Sequence, residues 1–409
     1  MAHQSISLFS GAGGIDCGLA AAGFETVVSV DMDGVCAASL LANRMGEVFS
    51  VDIADTSAAK LLTAAGARVG EIDLLTAGPP CQPFSKSANW RYGTPLGLND
   101  PRSQSLGHMM RVIEGVLPRV ALIENVPGFA GKGVRAGLES IEAKLGRINR
   151  KHGVAYRLSS TVVDAADFGV PQHRRRLIMV LDREGRAFEM PEPTHGSADH
   201  RPLEPYVSAW DAIGELDQPK TLQELRMRGR WADLLPSIPE GENYLWHTVR
   251  GGGVPLFGYR TRYWSFLLKL AKGRPAWTLP ANPSQNSGPF HWKNRLLSAA
   301  EMARLQSFPD RWQFAGTRAQ QVRQLGNAVP PLLAEVIGRE ISRQLLGAKT
   351  KTRRPKLLLR DGRPTPAPER VRPVQGHYLA LIGAHQPHPG HGRGPGAQRR
   401  ARELETELG

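Results

Sequence analysis

From the N-terminus to about residue 184, short apolar runs alternate with stretches whose apolar residues recur at helical spacing. The runs Ser5–Phe9, Val27–Val30, Asp73–Thr76, Val120–Glu124 and Leu177–Leu181 are rich in Ile, Leu and Val, which predicts buried strands. Between the first two, Gly14–Ala22 is amphipathic and predicts a helix. This rhythm predicts an α/β fold: a doubly wound, mostly parallel sheet covered by helices on both faces. Ligands of such sheets bind beyond the carboxyl ends of the strands. The residues that follow each run are therefore the ones to read for chemistry.

From about Gly185 to Phe290 the rhythm stops. Pro, Gly, Trp and Arg dominate there, with Arg226, Arg228 and Arg230 close together and Gly251–Gly253 in a row. This predicts a second, irregular domain. Helix signals then return. Ser298-Ala299-Ala300-Glu301 forms a capping box, with Leu297 placed to staple onto Met302. Pro331 to Leu346 reads as an amphipathic helix with proline near its first turn. Beyond Thr350 the chain is rich in Pro, Gly, Arg and His without periodicity, which predicts disorder. His377, His385, His388 and His391 read as part of a solvated tail, and no metal site is expected.

Composition narrows the picture only a little. A chain of 409 residues with 41% hydrophobic and 22% charged residues has the balance of an ordinary globular protein. No apolar run is long enough to span a bilayer and no basic-then-apolar leader opens the chain, so no membrane partner and a cytoplasmic location are expected. The net charge of +14 favours a polyanion by counterion release. Half of it is local, since residues 350–409 hold 12 Lys and Arg against 5 Asp and Glu. The three cysteines, Cys17, Cys36 and Cys81, form neither a metal spacing nor a disulfide framework.

The first strand ends in Phe9-Ser10-Gly11-Ala12-Gly13-Gly14, where glycines allow a tight turn and a close approach of backbone to ligand. The second ends in Asp31, 20 residues after Gly11, where a carboxylate can accept from ribose hydroxyls. Asp16 stands where a dinucleotide fingerprint has its third glycine, which favours an adenosyl cofactor without pyrophosphate over a nicotinamide one. Asp52 and Ile53 are candidates for adenine contacts, although a loop carboxylate and a core aliphatic explain them equally well.

Gly78-Pro79-Pro80-Cys81-Gln82-Pro83 brackets a cysteine with prolines at a strand's carboxyl end. Cys17 and Cys36 fall in helix-like apolar stretches and read as core fillers, whereas a rigid loop suits a nucleophile. Glu124 closes the run Ile123-Glu124-Asn125-Val126-Pro127. Buried near the cysteine, its pKa would rise and it could donate to a ring nitrogen. Gln172, Arg174 and Arg176 alternate, so in an extended chain they share one face and could hold a base and its phosphate.

In this order the motifs resemble the cytosine-5 DNA methyltransferase family. They are Phe-Ser-Gly-Ala-Gly-Gly, Gly-Pro-Pro-Cys-Gln, Glu-Asn-Val, Gln-x-Arg-x-Arg, Arg304 to Pro309 as Arg-Leu-Gln-x-Phe-Pro, and Gly326 to Val329 as Gly-Asn-Ala-Val. They run from Leu8 to about Gly338 and leave the irregular middle and the tail outside. The resemblance implies a Rossmann-like, S-adenosylmethionine-dependent catalytic domain at 1–184 and a target-recognition domain at 185–290. Helices at 291–349 would return to the catalytic domain, ahead of a disordered basic tail at 350–409. It further implies that Phe9, Gly11, Gly13, Gly14, Asp31, Met32, Asp52, Ile53, Gly78, Asn327 and Val329 line the cofactor pocket, Met32 lying where the family usually has Trp. Ser7 replaces the family's usual Asp, and Ala328 a frequent Ser.

The expected reaction moves a methyl group from S-adenosylmethionine to carbon 5 of a cytosine flipped out of double-stranded DNA. Cys81 adds to carbon 6, Glu124, kept protonated by burial, serves nitrogen 3, and Arg174 or Arg176 holds the carbonyl oxygen. An exocyclic-amine methyltransferase would carry Asp or Asn before the two prolines and an aromatic after them. A transfer-RNA enzyme would lack the long middle, a silent DNA-binding module would not need both Cys81 and Glu124, and a nicotinamide oxidoreductase explains only the first glycines. A compact member of the family is expected to be a monomeric bacterial modification enzyme with a cognate restriction endonuclease. Arg226, Arg228, Arg230, Arg250, Arg260 and Arg262 are candidates for phosphate or guanine contacts.

Overall fold

The computed structural model describes residues 2–80, 104–130, 135–197, 203–216, 222–258, 264–283, 285–348, 354–359 and 364–383. Seven strands form one sheet: β1 (His3–Leu8), β2 (Phe24–Val30), β3 (Glu47–Phe49), β4 (Leu74–Ala77), β5 (Val120–Asn125), β6 (Arg157–Asp164) and β7 (Arg175–Asp182). Their order is β3-β2-β1-β4-β5-β7-β6. The pairs β1–β2, β1–β4, β2–β3 and β4–β5 are parallel, and β7 runs antiparallel to both β5 and β6. The sheet is thus mostly parallel, as the alternation of apolar runs predicts. Among the described residues no helix is long and apolar enough to cross a membrane.

Side chains alternate across the sheet and build a core on each face. Leu75, Ile123 and Met179 point to one side, where three helices that follow α2 (Gly34–Ala42) in the chain, α3 (Ala58–Ala64), α4 (Gln104–Val116) and α5 (Arg135–His152), supply Leu61, Met109, Ile113, Ile141 and Leu145. Their neighbours Leu74, Leu122, Ile178 and Val180 point to the other, against Leu19 of α1 (Gly14–Ala22) and Leu332, Leu333 and Ile337 of the helix Pro331–Gln344. The sheet is therefore closed on its second face by the first helix and by a helix from the far end of the chain.

That closure is tight. A Cβ added at Gly18 of α1 would run into the Pro331 carbonyl and stand 2.6 Å from the Ala334 Cβ, so glycine is required for the two helices to meet. One acid is sealed into the same neighbourhood. Asp16, in the first turn of α1, is fully buried, with Oδ1 accepting from the Thr26 hydroxyl at 3.2 Å. Its Oδ2 has no hydrogen-bond partner among the described residues. Burial pushes the carboxyl up to about 6, against the opposing effects of the Ser7 and Thr26 hydroxyls.

After β7 the chain makes a short parallel pair, β8 (His195–Gly196) with β9 (Glu204–Pro205), and then little regular structure. Residues between Met227 and Phe290 gather a separate aromatic and aliphatic cluster. The helix α6 (Ala209–Ile213) packs elsewhere, with α8 (Ala299–Leu305), which follows the short helix α7 (Leu222–Leu225) in the chain, and with Trp292 and Leu325. The capping box of α8 forms as read from the sequence, the Ser298 hydroxyl accepting from Glu301 N and the Glu301 carboxyl from Ser298 N. Two further helices follow, α9 (Arg318–Asn327) and α10 (Pro331–Gln344).

The tail departs from the expected disorder in two stretches. Glu335 of α10 accepts from Lys356 N at 2.7 Å and Leu357 N at 2.9 Å, which seats Leu358 in the core. Farther on, Glu369 pairs with Lys272 at 2.9 Å. Tyr378, in the one-turn helix α11 (Gly376–Leu379), is buried and stacks on Trp231 with an interplanar angle of 14°. Its hydroxyl donates to the Arg230 carbonyl at 2.6 Å. Sparse apolar residues therefore find ready-made apolar sites, which a search for periodicity along the chain cannot detect. Residues 384–409, with His385, His388 and His391, lie outside the described residues.

Candidate active site

Strand order reverses between β1 and β4, so the crevice at their carboxyl ends is the topological switch point. The loop leaving β1 turns through three residues with positive φ, Phe9 at 53°, Gly11 at 55° and Gly13 at 76°. Beyond its chain neighbours, no atom of the described residues lies within 4 Å of the place where a Cβ on Gly11 would stand, so among them this turn faces open space. Gly14 behind it is packed against the Val329 carbonyl, and Trp312 Nε1 donates to the Ala12 carbonyl at 3.0 Å. The C-terminal segment thus buttresses the glycine turn.

Asp31 stands at the end of β2. Its Oδ2 accepts from Gly11 N at 2.7 Å and its Oδ1 from Asp33 N at 2.8 Å. Burial raises its pKa, and these two bonds act in the opposite direction. A carboxylate offers about four lone-pair sites, so each oxygen retains a second acceptor position. Met32 beside it is 72% exposed, a large apolar side chain left for a ligand to cover. Asp52 caps the turn Ile53–Asp55 by accepting from Ala54 N at 2.9 Å, and Ile53 is buried in the core. Val329 is buried at the back of the glycine turn, while Asn327 ends α9 exposed. Open backbone at Gly11, a carboxylate with spare acceptors and an uncovered thioether together fit an adenosyl ligand.

The loop leaving β4 adjoins this crevice. A Cβ at Gly78 would stand 3.8 Å from Glu124 Oε2 and 3.9 Å from the Phe9 carbonyl oxygen, so the three segments converge there. Asn125 Nδ2 donates to the Pro79 carbonyl at 3.4 Å and ties the loop to β5. Cys81 follows Pro80 and lies outside the described residues. Glu124 itself faces Arg176 of β7, with Oε1 and Nε 2.5 Å apart and side chains 13% and 12% exposed. The seclusion expected of Glu124 is therefore incomplete, and its neighbour is a guanidinium.

The alternating Gln172, Arg174 and Arg176 do not form one row of ligand donors. Gln172 is buried, donating to the Leu305 carbonyl at 3.3 Å and accepting from Leu279 N at 3.1 Å. Arg174 is buried and donates to the Gly326 carbonyl at 2.8 Å. Both join the sheet to the C-terminal helices, and Arg176 alone of the three is paired with Glu124. Trp312 and Arg323 also border the site without belonging to any of the motifs, the Arg323 guanidinium bridging to Asp33 at 2.5 Å beside the Asp31 turn. The one local hint is a tryptophan three residues after Pro309, and it points to Trp312 alone. Arg230 lies 4.7 Å over the Trp231 ring, and Arg260 and Arg262 lie outside the described residues.

Residues 3–343 match the family model described as C-5 cytosine-specific DNA methylase. The type II methyltransferase M.SacI of Streptomyces achromogenes is 36% identical over 370 residues, covering 83% of this chain and 93% of that protein. M.NgoFVII of Neisseria gonorrhoeae, also a type II methyltransferase, is 30% identical over 334 residues, 80% of this chain and 83% of its own. Among solved structures, a putative DNA modification methyltransferase encoded within an E. coli prophage shares the fold. Its TM-score is 0.58 at 21% identity, over 85% of this chain and 100% of that one.

Proposed function

Because this chain belongs to the C-5 cytosine-specific DNA methylase family, we propose that its DNA cytosine-5-methyltransferase activity acts on a cytosine turned out of a specific duplex sequence into the crevice lined by the Gly78 turn and Glu124. The observation that carries this reading is the Glu124–Arg176 pair at the end of β5, against the Gly78 turn that leads to Cys81. A base in the crevice meets an acid and a guanidinium from adjacent strands. Its carbons cannot be reached while it stays stacked, so it leaves the helix.

Cys81, as thiolate, adds through its sulfur to carbon 6 of the base and breaks the carbon 5–carbon 6 double bond, which is restored when the carbon-5 proton and then the Cys81 sulfur leave after methylation. The Asn125 tether on Pro79 limits the freedom of the loop that presents it. Glu124 holds the proton at nitrogen 3, and Arg176 orients that carboxyl and reaches the carbonyl oxygen at carbon 2. Arg174 acts through the Gly326 carbonyl, as a positioning residue for the segment that carries Asn327 and Val329. S-adenosylmethionine, when bound, supplies the methyl group on an electrophilic sulfonium. Phe9, Gly11, Gly13 and Gly14 would give it a backbone path, Asp31 would accept from its ribose hydroxyls and Met32 would lie against its adenine. Asp52 and Ile53 would stand on the adenine side, and Gly78, Asn327 and Val329 would close the pocket.

The division at 1–184, 185–290 and 291–349 follows from this reading, the irregular middle contacting the recognised bases. The relatives are named type II methyltransferases, which supports a modification enzyme of a restriction–modification system, partnered by a cognate endonuclease. A monomer acting in the cytoplasm on nucleoid DNA suffices, each strand being methylated in a separate event.

The test is bisulfite sequencing of plasmid DNA from cells expressing the protein or its Cys81→Ser variant. Protected cytosines at one short repeated sequence, absent with the variant, are expected. Protection that persists in Cys81→Ser removes the nucleophile from this scheme. No protection from well-folded protein removes duplex DNA as substrate.

A further inference from the structure

Two tryptophans of the irregular middle are left in solvent. Trp264 is 47% exposed and Trp277 is 39% exposed, and they are the two large aromatic side chains among the exposed hydrophobic residues described. Their rings meet edge to face with centroids 5.2 Å apart at 79°. The Trp277 ring lies 6.0 Å from that of His173, which lies 5.4 Å from that of Tyr206. Four rings thus form a ridge running from the irregular middle onto the sheet domain.

The ridge is held by its backbone. Asn243 Nδ2 donates to the Trp264 carbonyl at 2.9 Å. On either side of Trp277, His173 N donates to the Ala276 carbonyl at 2.8 Å and the Thr278 hydroxyl donates to the His173 carbonyl at 2.7 Å. His173 lies three residues before Arg176, the partner of Glu124, so the foot of the ridge stands on the segment that leads into β7 and its site arginine. Indoles would gain stability from burial, and their polarisable faces match nucleobases better than aliphatic side chains. Inside an intact duplex a base offers only its edges. Its face becomes available where a neighbour has left the stack.

We propose that Trp264 and Trp277 form a stacking platform for a base or sugar of the substrate DNA uncovered when the target cytosine flips. This rests on the proposed action on duplex DNA and names a contact surface for it. The platform offsets the stacking lost at the disrupted step and contributes most where that step is already open.

The experiment compares the wild-type protein with Trp264→Ala, Trp277→Ala and Trp277→Phe. Binding is followed by fluorescence anisotropy to a duplex carrying the methylated sequence, and to the same duplex with a mismatch at the target cytosine. Base–aromatic stacking by comparable side chains predicts a loss on the order of tenfold for each alanine variant on the mismatched duplex. Trp277→Phe should restore most of the affinity, and cofactor affinity and thermal midpoint should stay at wild-type values. Unchanged affinity in both alanine variants of an enzyme that methylates DNA overturns the platform alone. An equal loss on matched and mismatched duplexes, unrestored by Phe, also overturns it in favour of a backbone contact. A wild-type protein that binds no DNA overturns the platform together with the reading it rests on.

Discussion

Asp16→Asn should make this protein more stable at neutral and alkaline pH and slightly less stable near pH 4. Asp16 is fully buried, holds one hydroxyl bond from Thr26 and leaves Oδ2 without a hydrogen-bond partner among the described residues. Burial moves its pKa from 3.8 to about 6 in the folded protein. The folded state therefore binds this proton more tightly than the unfolded state does. Below pH 4 both states are protonated and the carboxyl carries no charge penalty. Between pH 4 and 6 the unfolded chain ionises first, and stability falls by about 1.4 kcal/mol per pH unit. Above pH 6 both states are ionised and the full penalty, about 3 kcal/mol, persists. The amide removes that penalty, but its NH2 group must find an acceptor. Ser7 is the nearby hydroxyl, and an imperfect bond there costs about 1 kcal/mol. The net expectation is a gain of about 2 kcal/mol at pH 8, turning into a loss of about 1 kcal/mol near pH 4. Urea unfolding of both proteins at a series of pH values measures the difference directly. A difference that stays flat from pH 4 to 8 would refute the assignment of a buried ionised carboxylate.

Other consequences are as open to measurement. Tyr378→Ala removes a buried ring stacked on Trp231 and should lower stability by about 3 kcal/mol, with trypsin cutting sooner within residues 364–383. Proteolysis at the wild-type rate would show that this stretch adds nothing to the fold. The thiols of Cys17 and Cys36 are buried and both pushed up to about 12, so at pH 8 only about one part in ten thousand of each is thiolate. Iodoacetamide should modify Cys81 alone among the three cysteines of the native protein, and all three in denaturant. Peptide mapping that finds Cys17 or Cys36 modified natively at a similar rate would contradict their burial.

The sheet was legible because its central strands are buried on both faces and read as unbroken apolar runs. All five runs became strands, and α1 has the limits that its periodicity suggested. The misses lie at the edges. Glu47-Val48-Phe49 is only three residues long, and Arg157–Asp164 is largely exposed, so neither carries a period that distinguishes a strand from a loop. At the site, glycines and carboxylates marked the right turns but not their partners. Asp31 reads as a ribose acceptor, yet it also braces the glycine turn through Gly11 N. Gln172 and Arg174 share a face by alternation, but nothing local to them reveals that Leu305 and Gly326 wait on that face. Tyr378 met Trp231 across a sequence gap that no pattern spans.

The tight meeting of Gly18 with the Pro331 carbonyl fixes when this protein can first work. At about 5–20 residues per second, a ribosome that has made Gly18 needs on the order of 15–60 s to make Pro331. Through that interval Leu19 has no Ile337 to pack on, and the glycine turn lacks Val329 behind Gly14. A nascent chain therefore holds α1 half-clothed and open to chaperone binding through that interval, and its glycine turn stays unbuttressed until Val329 has been made. Prematurely terminated chains would be inert rather than indiscriminate methylators.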